Sequence, residues 1–238
     1  MGFIDIHCHI LPGLDDGPEN MDESLEMVKM AVANGTSHIF CTPHVYPDVY
    51  DTNTESIKRA RDALESMTAN GVKLFFGGDV RIVPDLMERL EKQEVPTLNG
   101  SPYLLVEFPS QIIPHYTSHL ISNLRRKGLI PIVTHPERYA YFAKDFAALR
   151  VLRDQGCTFQ LTAMSLTKDA AKDLRKVTYA MIENGFADFI ASDGHSTGHR
   201  APVLSKAYDE VRRQFGKDLA ETIFFRNPQK ILDAVTEH

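Results

Sequence analysis

Residues 3–18 read Phe3-Ile4-Asp5-Ile6-His7-Cys8-His9-Ile10-Leu11-Pro12-Gly13-Leu14-Asp15-Asp16-Gly17-Pro18, and this stretch narrows the choice of fold. Its start, Phe3 to His7, is the aromatic and β-branched run of a strand. A dinucleotide-binding fold would place G-x-G-x-x-G at the turn that follows, and HCHILPGLDDGP stands there instead. A turn rich in imidazole and carboxylate points away from a nucleotide cofactor. In an extended backbone His7 and His9 face the same side, about 6.6 Å apart, close enough to converge on one cation while Cys8 points away. Asp15-Asp16-Gly17-Pro18 suits a turn and helix entry, and one of its carboxylates can also serve a metal.

Working outward, short strand-like runs alternate with amphipathic segments. In the first helix Asn20 can cap with Glu23, Leu25, Val28 and Val32 share a face, and Gly35 closes it. In the second, Ile57, Ala60, Leu64 and Met67 keep helical spacing before Gly71. Pro84 suits the first turn of a third, and Gly128, Gly156, Gly185 and Gly216 mark later helix ends. The other strand candidates are His38 to Cys41, Lys73 to Phe76, Leu104 to Glu107, Pro131 to His135, Thr158 to Leu161 and Phe189 to Ala191. A last short helix runs from Asn227-Pro228 to Val235. Consecutive βα units imply a parallel sheet with right-handed crossovers, either open and doubly wound or closed as a barrel. No repeat or linker interrupts the alternation, so residues 1–238 are read as a single domain.

The chain has 238 residues, 43% hydrophobic and 24% charged, which excludes disordered, collagen-like and coiled-coil classes. Its 26 Lys and Arg against 32 Asp and Glu give a net charge of -6, the wrong sign for neutralising nucleic acid or anionic lipid. Cys8, Cys41 and Cys157 form no disulfide framework and read as reduced thiols. With no signal-peptide pattern and no run of about 18 apolar residues, a cytoplasmic protein without membrane insertion is expected.

In parallel α/β architectures the chemistry gathers at the C-terminal strand ends. Those ends carry His7 and His9, His44, Asp79, Glu107, His135, and Asp193 with His195, and the sixth strand alone ends without a ligand type, at Leu161-Thr162. Asp193-Gly194-His195 repeats the spacing of the opening pair, and Gly194 lets the backbone come close to an ion. With one carboxylate of the Asp15-Asp16 pair the pool holds five His and four carboxylates, too many for one metal and suited to Mn, Fe or Zn. Clustered divalent ions serve phosphoryl hydrolysis, and Arg138 and Arg200 on ligand-bearing loops are placed to grip phosphate oxygens. His38, His115, His119 and His238 receive no role. A thiolate phosphatase needs Arg six residues after its Cys, whereas Leu14, Pro47 and Ala163 occupy those positions.

The motifs DIHCHILPGLDDGP, CTPH, GGDVRI, LLVEFP, PIVTHPERY and FIASDGHSTGHR, in this order, resemble the polymerase-and-histidinol-phosphatase (PHP) superfamily. Within it they are similar to the bacterial manganese-dependent tyrosine-protein phosphatases of capsule and exopolysaccharide biosynthesis. The resemblance implies a distorted seven-stranded (β/α)7 TIM-like barrel and three metal ions. It assigns His7, His9, Asp79 and Asp193 to the first ion, and Asp16, His44 and His195 to the second. Asp79 bridges to a third with Glu107 and His135, and Arg138 and Arg200 bind phosphate. It also implies attack on phosphorus by a metal-bound hydroxide without a phosphoenzyme. The implied partner is a tyrosine autokinase bearing phosphotyrosine, with inorganic phosphate as product. Two departures stand out: Asp79 replaces the usual Glu, one methylene longer, and QLTAMSLT replaces a QLNAGSL-type run. The alternatives are a PHP phosphatase of a small phosphomonoester such as histidinol phosphate, a PHP nuclease, disfavoured by charge, and a catalytically silent metal-stabilised partner of a kinase. Oligomeric state stays open.

Overall fold

The computed structural model describes residues 2–68 and 71–235, and His238 falls outside them. The chain opens with β1 (Phe3–Cys8), α1 (Met21–Ala33), β2 (Thr36–Cys41), β3 (His44–Val45), α2 (Thr54–Met67), β4 (Lys73–Phe76), β5 (Asp79–Arg81) and α3 (Leu86–Glu91). It continues with β6 (Tyr103–Glu107), α4 (Thr117–Arg126), β7 (Ile130–Thr134), α5 (Ala140–Lys144), α6 (Ala147–Asp154), β8 (Thr158–Thr162) and α7 (Lys172–Glu183). It ends with β9 (Phe189–Ala191), α8 (Ser205–Phe215), α9 (Lys217–Glu221) and α10 (Asn227–Asp233). The strands pair in parallel as β1-β2-β4 and as a curled six-stranded half-barrel, β3-β5-β6-β7-β8-β9.

All seven expected strands are present, but the expected single seven-stranded sheet is divided. Pro43, which has no N–H to give a ladder, follows β2, and the chain resumes as β3. Gly77-Gly78 divides β4 from β5, and a Cβ on Gly77 would lie 2.8 Å from Leu98 Cδ2. Isolated bonds still cross the breaks: Gly77 N–H donates to Cys41 O at 3.0 Å and Asp79 N–H to Pro43 O at 3.0 Å. Between β1 and β9 the ladder is one bridge, Cys8 with Gly194, flanked by Asp193 N–H to His7 O at 2.8 Å.

Two apolar layers cover the strands. Ile39, Leu104, Val106, Val133, Phe159 and Leu161 face helical residues such as Met27, Leu64, Leu120 and Met181. Ile4, Ile6, Phe40, Leu105, Ile132 and Phe189 fill the opposite, inner face. Asn20 caps α1 as expected, its side chain accepting from Glu23 N–H at 3.0 Å. Val32, expected on the inner stripe, is 40% exposed, because it lies about 40° beyond Val28 on the side away from Ala31. Met67, at the last turn of α2, is likewise exposed. The last helix starts at Asn227 as expected but ends at Asp233, two residues short of Val235, and α9 runs into it through a π-helical turn, Thr222–Arg226.

Candidate metal centre

Strand register sets donors side by side before any side chain turns. His44 on β3 is the direct partner of Asp79 on β5, and Arg81 on β5 is the partner of Glu107 on β6. In β1 the pairing register shifts between Asp5 and Cys8. Strict alternation would send His7 to the face opposite Ile6; the irregularity instead lets His7 and His9 join the inner side, while Cys8 packs with the outer core. His135 and Asp193 sit just past their strands with φ of 35° and 51°, a left-handed conformation unusual for residues with a Cβ. This local strain ends β7 one residue earlier than expected and turns the His135 ring toward Asp79.

All nine expected metal donors come together. His7 Nε2 and His9 Nε2 are 2.9 Å apart. Asp193 Oδ1 lies 3.6 Å from His7 Nε2 and 3.5 Å from His9 Nε2. Asp79 Oδ2 lies 3.7 Å from His7 Nε2, 3.5 Å from His44 Nδ1 and 3.6 Å from His135 Nε2. Glu107 approaches His44 Nδ1 at 3.8 Å, and Asp16 Oδ1 lies 3.5 Å from His44 Nε2 and 3.3 Å from His195 Nε2. Three overlapping donor groups result, each with ligand atoms within 4.8 Å: His9, Asp16, His44 and His195; His7, His9 and Asp79; His44, Asp79 and Glu107. The shorter Asp79 reaches its neighbours because the Gly77-Gly78 break lets β5 sit close beside β3.

Hydrogen bonds behind the donors orient them. His7 Nδ1–H donates to Gln160 Oε1 at 2.8 Å, His9 Nδ1–H to Asp15 Oδ2 at 2.6 Å, and His195 Nδ1–H to the Asp193 carbonyl at 2.8 Å. Each tautomer is assigned from its acceptor, and each leaves a bare Nε2 lone pair aimed at the cluster. Two such lone pairs facing at 2.9 Å repel unless a cation or proton lies between them. Asp79 Oδ2, His44 Nδ1, His135 Nδ1 and His195 Nε2 are buried without a hydrogen-bond partner. Thr134 Oγ1–H holds the other Asp79 oxygen at 3.1 Å. Imidazole Nε2 and carboxylate oxygens, buried and backed by fixed acceptors, are the donor chemistry of a metal site.

The electrostatics agree. Burial, reinforced by the charges of His195 and His44, holds His9 well below the ordinary imidazole range, so it stays neutral and ligand-ready. Burial lowers His7 as well, against the pull of Asp79 and Asp193. Burial would raise Asp193, yet the guanidinium charges of Arg138 and Arg200, beside the His7 ring, hold it well below the usual carboxylate range. Asp79 is also held low, burial being outweighed by the neighbouring imidazoles of His7, His135 and His44. Glu107 goes the other way, pushed up by burial and the neighbouring Asp79 charge.

Arg138 and Arg200 reach the centre by pairing with Asp193: Arg138 Nη1 at 2.6 Å from Oδ2, and Arg200 Nη2 at 3.0 Å from both oxygens. Arg200 Nε is left without a partner. Sequence reasoning missed Gln160, Asp15, Asp5 and Thr134. Asp5, pushed up to about 6 by burial, accepts Ser192 N–H at 2.9 Å and ties β1 to the end of β9. The adjacent acids at 15 and 16 were a visible signal; Gln160, two residues before the strand end that was read as empty, gave none along the chain. His38 and His115 lie away from the centre, His38 stacked on Phe75 and His115 edge-on to Tyr116.

Residues 3–233 match the family described as "Capsular polysaccharide synthesis, CpsB/CapC". The chain is 36% identical to CapC of Staphylococcus aureus over 211 residues, covering 87% of this chain and 83% of that protein. It is 32% identical to the tyrosine-protein phosphatase YwqE of Bacillus subtilis (strain 168), covering 96% of each chain. It superposes with a TM-score of 0.93 at 31% identity on one chain from the crystal structures of YwqE from Bacillus subtilis and CpsB from Streptococcus pneumoniae, described as unique metal-dependent tyrosine phosphatases. That match covers 99% of this chain and 96% of the other.

Proposed function

Since the chain belongs to the CpsB/CapC family of capsular polysaccharide synthesis proteins, we propose that it is a metal-dependent protein-tyrosine phosphatase acting on phosphotyrosine of a tyrosine kinase in capsule or exopolysaccharide synthesis. The observation that carries this reading is the convergence of bare imidazole Nε2 atoms, each fixed by an acceptor on its far side, upon buried carboxylates.

His7, His9, Asp79 and Asp193 would hold one ion, Asp16, His44 and His195 a second, and Glu107 and His135 with Asp79 a third, with Mn favoured over Fe or Zn. Bound divalent ions supply water of lowered pKa and positive charge opposite developing phosphoryl oxygens. The chain's own part is orientation. Gln160, Asp15 and the Asp193 carbonyl hold three rings in one tautomer, and Thr134 holds Asp79. Arg138 and Arg200 anchor on Asp193 and keep further N–H donors for the equatorial oxygens of a phosphoryl group. Tyr50 lies parallel to the His44 ring, 5.6 Å away, an aromatic wall suited to a tyrosine ring. A phenolate leaves readily because its conjugate acid has a pKa of about 10, so demand for a general acid is modest.

The broken ladders at Pro43 and Gly77-Gly78 and the single β1–β9 bridge support reading the two sheets as arcs of one distorted seven-stranded barrel in a single domain. No helix among the described residues is long and apolar enough to cross a membrane, which supports a cytoplasmic enzyme.

The deciding experiment measures hydrolysis of a phosphotyrosine peptide and of histidinol phosphate by chelator-stripped protein, with and without Mn, beside elemental analysis. Mn-dependent turnover of the peptide is expected. Preference for histidinol phosphate, or bound metal with no turnover of either, would overturn the reading. Arg200→Ala should keep its metal and bind inorganic phosphate more weakly; unchanged phosphate inhibition would remove Arg200 from the site.

A further inference from the structure

Between α7 and α8 a groove of ≈ 510 Å³ opens beside the loop that follows β8. Its position relative to the metal centre is fixed on both walls. Glu137, next to Arg138, accepts Thr162 N–H at 2.8 Å and Ser165 Oγ–H at 2.9 Å. The turn Ala163–Leu166 at the groove's inner end is therefore bonded to the turn that carries Arg138. On the other wall, α8 starts just after the Arg200 loop, and Asn34 Oδ1 pins that start by accepting Leu204 and Ser205 N–H, each at 3.0 Å. The groove thus lies between elements tied to, or continuing from, the two arginine-bearing loops.

Its charge inverts that of the chain. In a protein of net charge -6, the stretch from 168 to 176 carries Lys168, Lys172, Arg175 and Lys176 against Asp169 and Asp173. Lys206 and Arg213 line the facing wall. The two carboxylates in the lining are already engaged. Glu210 takes Arg213 at 2.7 Å and the Tyr179 hydroxyl, and Asp169 lies 4.0 Å from Lys206. Among the described residues Lys168 and Arg175 pair with no carboxylate, so their charge is directed at whatever enters.

We propose that this groove docks an anionic stretch of the substrate polypeptide flanking the phosphotyrosine under hydrolysis, a role that rests on the phosphatase reading above. A phosphoprotein approaching an acidic enzyme is repelled by most of its surface, and a confined basic track beside the metal centre gives both steering and register. The groove contributes to polypeptide binding and leaves the chemistry at the metal centre untouched.

The test is the double variant Lys168→Glu/Arg175→Glu in the full chain, loaded with Mn. Three substrates are compared: a phosphotyrosine peptide with acidic flanks, the same peptide with neutral flanks, and p-nitrophenyl phosphate. For the acidic peptide KM should rise about tenfold with kcat nearly unchanged, while the other two substrates respond little. The wild-type preference for acidic flanks should fade as salt shortens the screening length. An unchanged KM ratio between the two peptides would overturn the proposal. So would equal loss on p-nitrophenyl phosphate, which would make these residues structural; Lys206→Glu, outside the 168–176 stretch, serves as the independent check and should shift the same ratio. Loss of binding to vesicles containing anionic lipid, with the peptide ratio intact, would assign the groove to a membrane instead. Turnover of p-nitrophenyl phosphate with no turnover of either peptide by the wild type would defeat the tyrosine-phosphatase reading itself.

Discussion

The same strands present two different inner surfaces along their length. Before the donor positions Ile4, Ile6, Phe40, Leu105, Ile132 and Phe189 form a buried apolar layer. At their C-terminal ends His7, Glu107, His135 and Asp193 crowd together, with buried polar atoms at His44, Asp79, His135 and His195 that have no protein partner. Burial pushes on both layers with opposite results. It stabilises the apolar layer in proportion to area removed from water, and it penalises the polar layer until a cation is shared among its donors. The apolar layer is therefore a source of stability, and the rim draws on it.

Substitutions can break or sharpen this contrast. The largest effect is expected from Asp193→Ala, which removes the carboxylate facing His7, His9, Arg138 and Arg200 together. Metal content by elemental analysis and phosphatase turnover should collapse together; a variant that kept both would erase the distinction between the layers. Phe40→Ala, in the apolar layer, should cost about 3–5 kcal/mol in urea unfolding, while turnover per folded molecule changes little. Gln160→Ala leaves the volume of the centre nearly intact but frees the His7 tautomer. Chelator competition should show metal affinity weakened about 10–100-fold, with catalytic loss recovered at high Mn. The smallest change is expected at Val32→Ser, where exposure limits the shift in thermal unfolding to about 0.5 kcal/mol or less; a larger loss would mean that the inner stripe of α1 is wider than the structure indicates.

Much of the centre was legible because its donors obey short-range rules. His7 and His9, or Asp193 and His195, are two apart on extended chain, and strand ends are where parallel α/β folds gather chemistry. Gln160 was not legible in this way. Its bond to His7 joins residues 153 positions apart, and only the order of strands around the sheet makes them neighbours. The same holds for Asp5 and Ser192, which are 187 apart. Arg138 and Arg200 could be assigned to phosphate from loop position, but their common anchor on Asp193 depends on two loops meeting. The left-handed turns at His135 and Asp193 were also invisible, since neither residue type announces a positive φ as glycine does.

By itself the sequence determined the alternation of strands and helices and the residue types at each strand end. Those follow from covalent geometry and periodicity, which act over a few residues. The tertiary structure alone decided where the strands break, which nitrogen of His7, His9 and His195 is bare, which carboxylate holds both arginines and that a basic groove opens between α7 and α8. Each of these depends on what a side chain meets across the sheet, and a hydrogen bond or a buried charge takes its energy from that partner rather than from its neighbours along the chain.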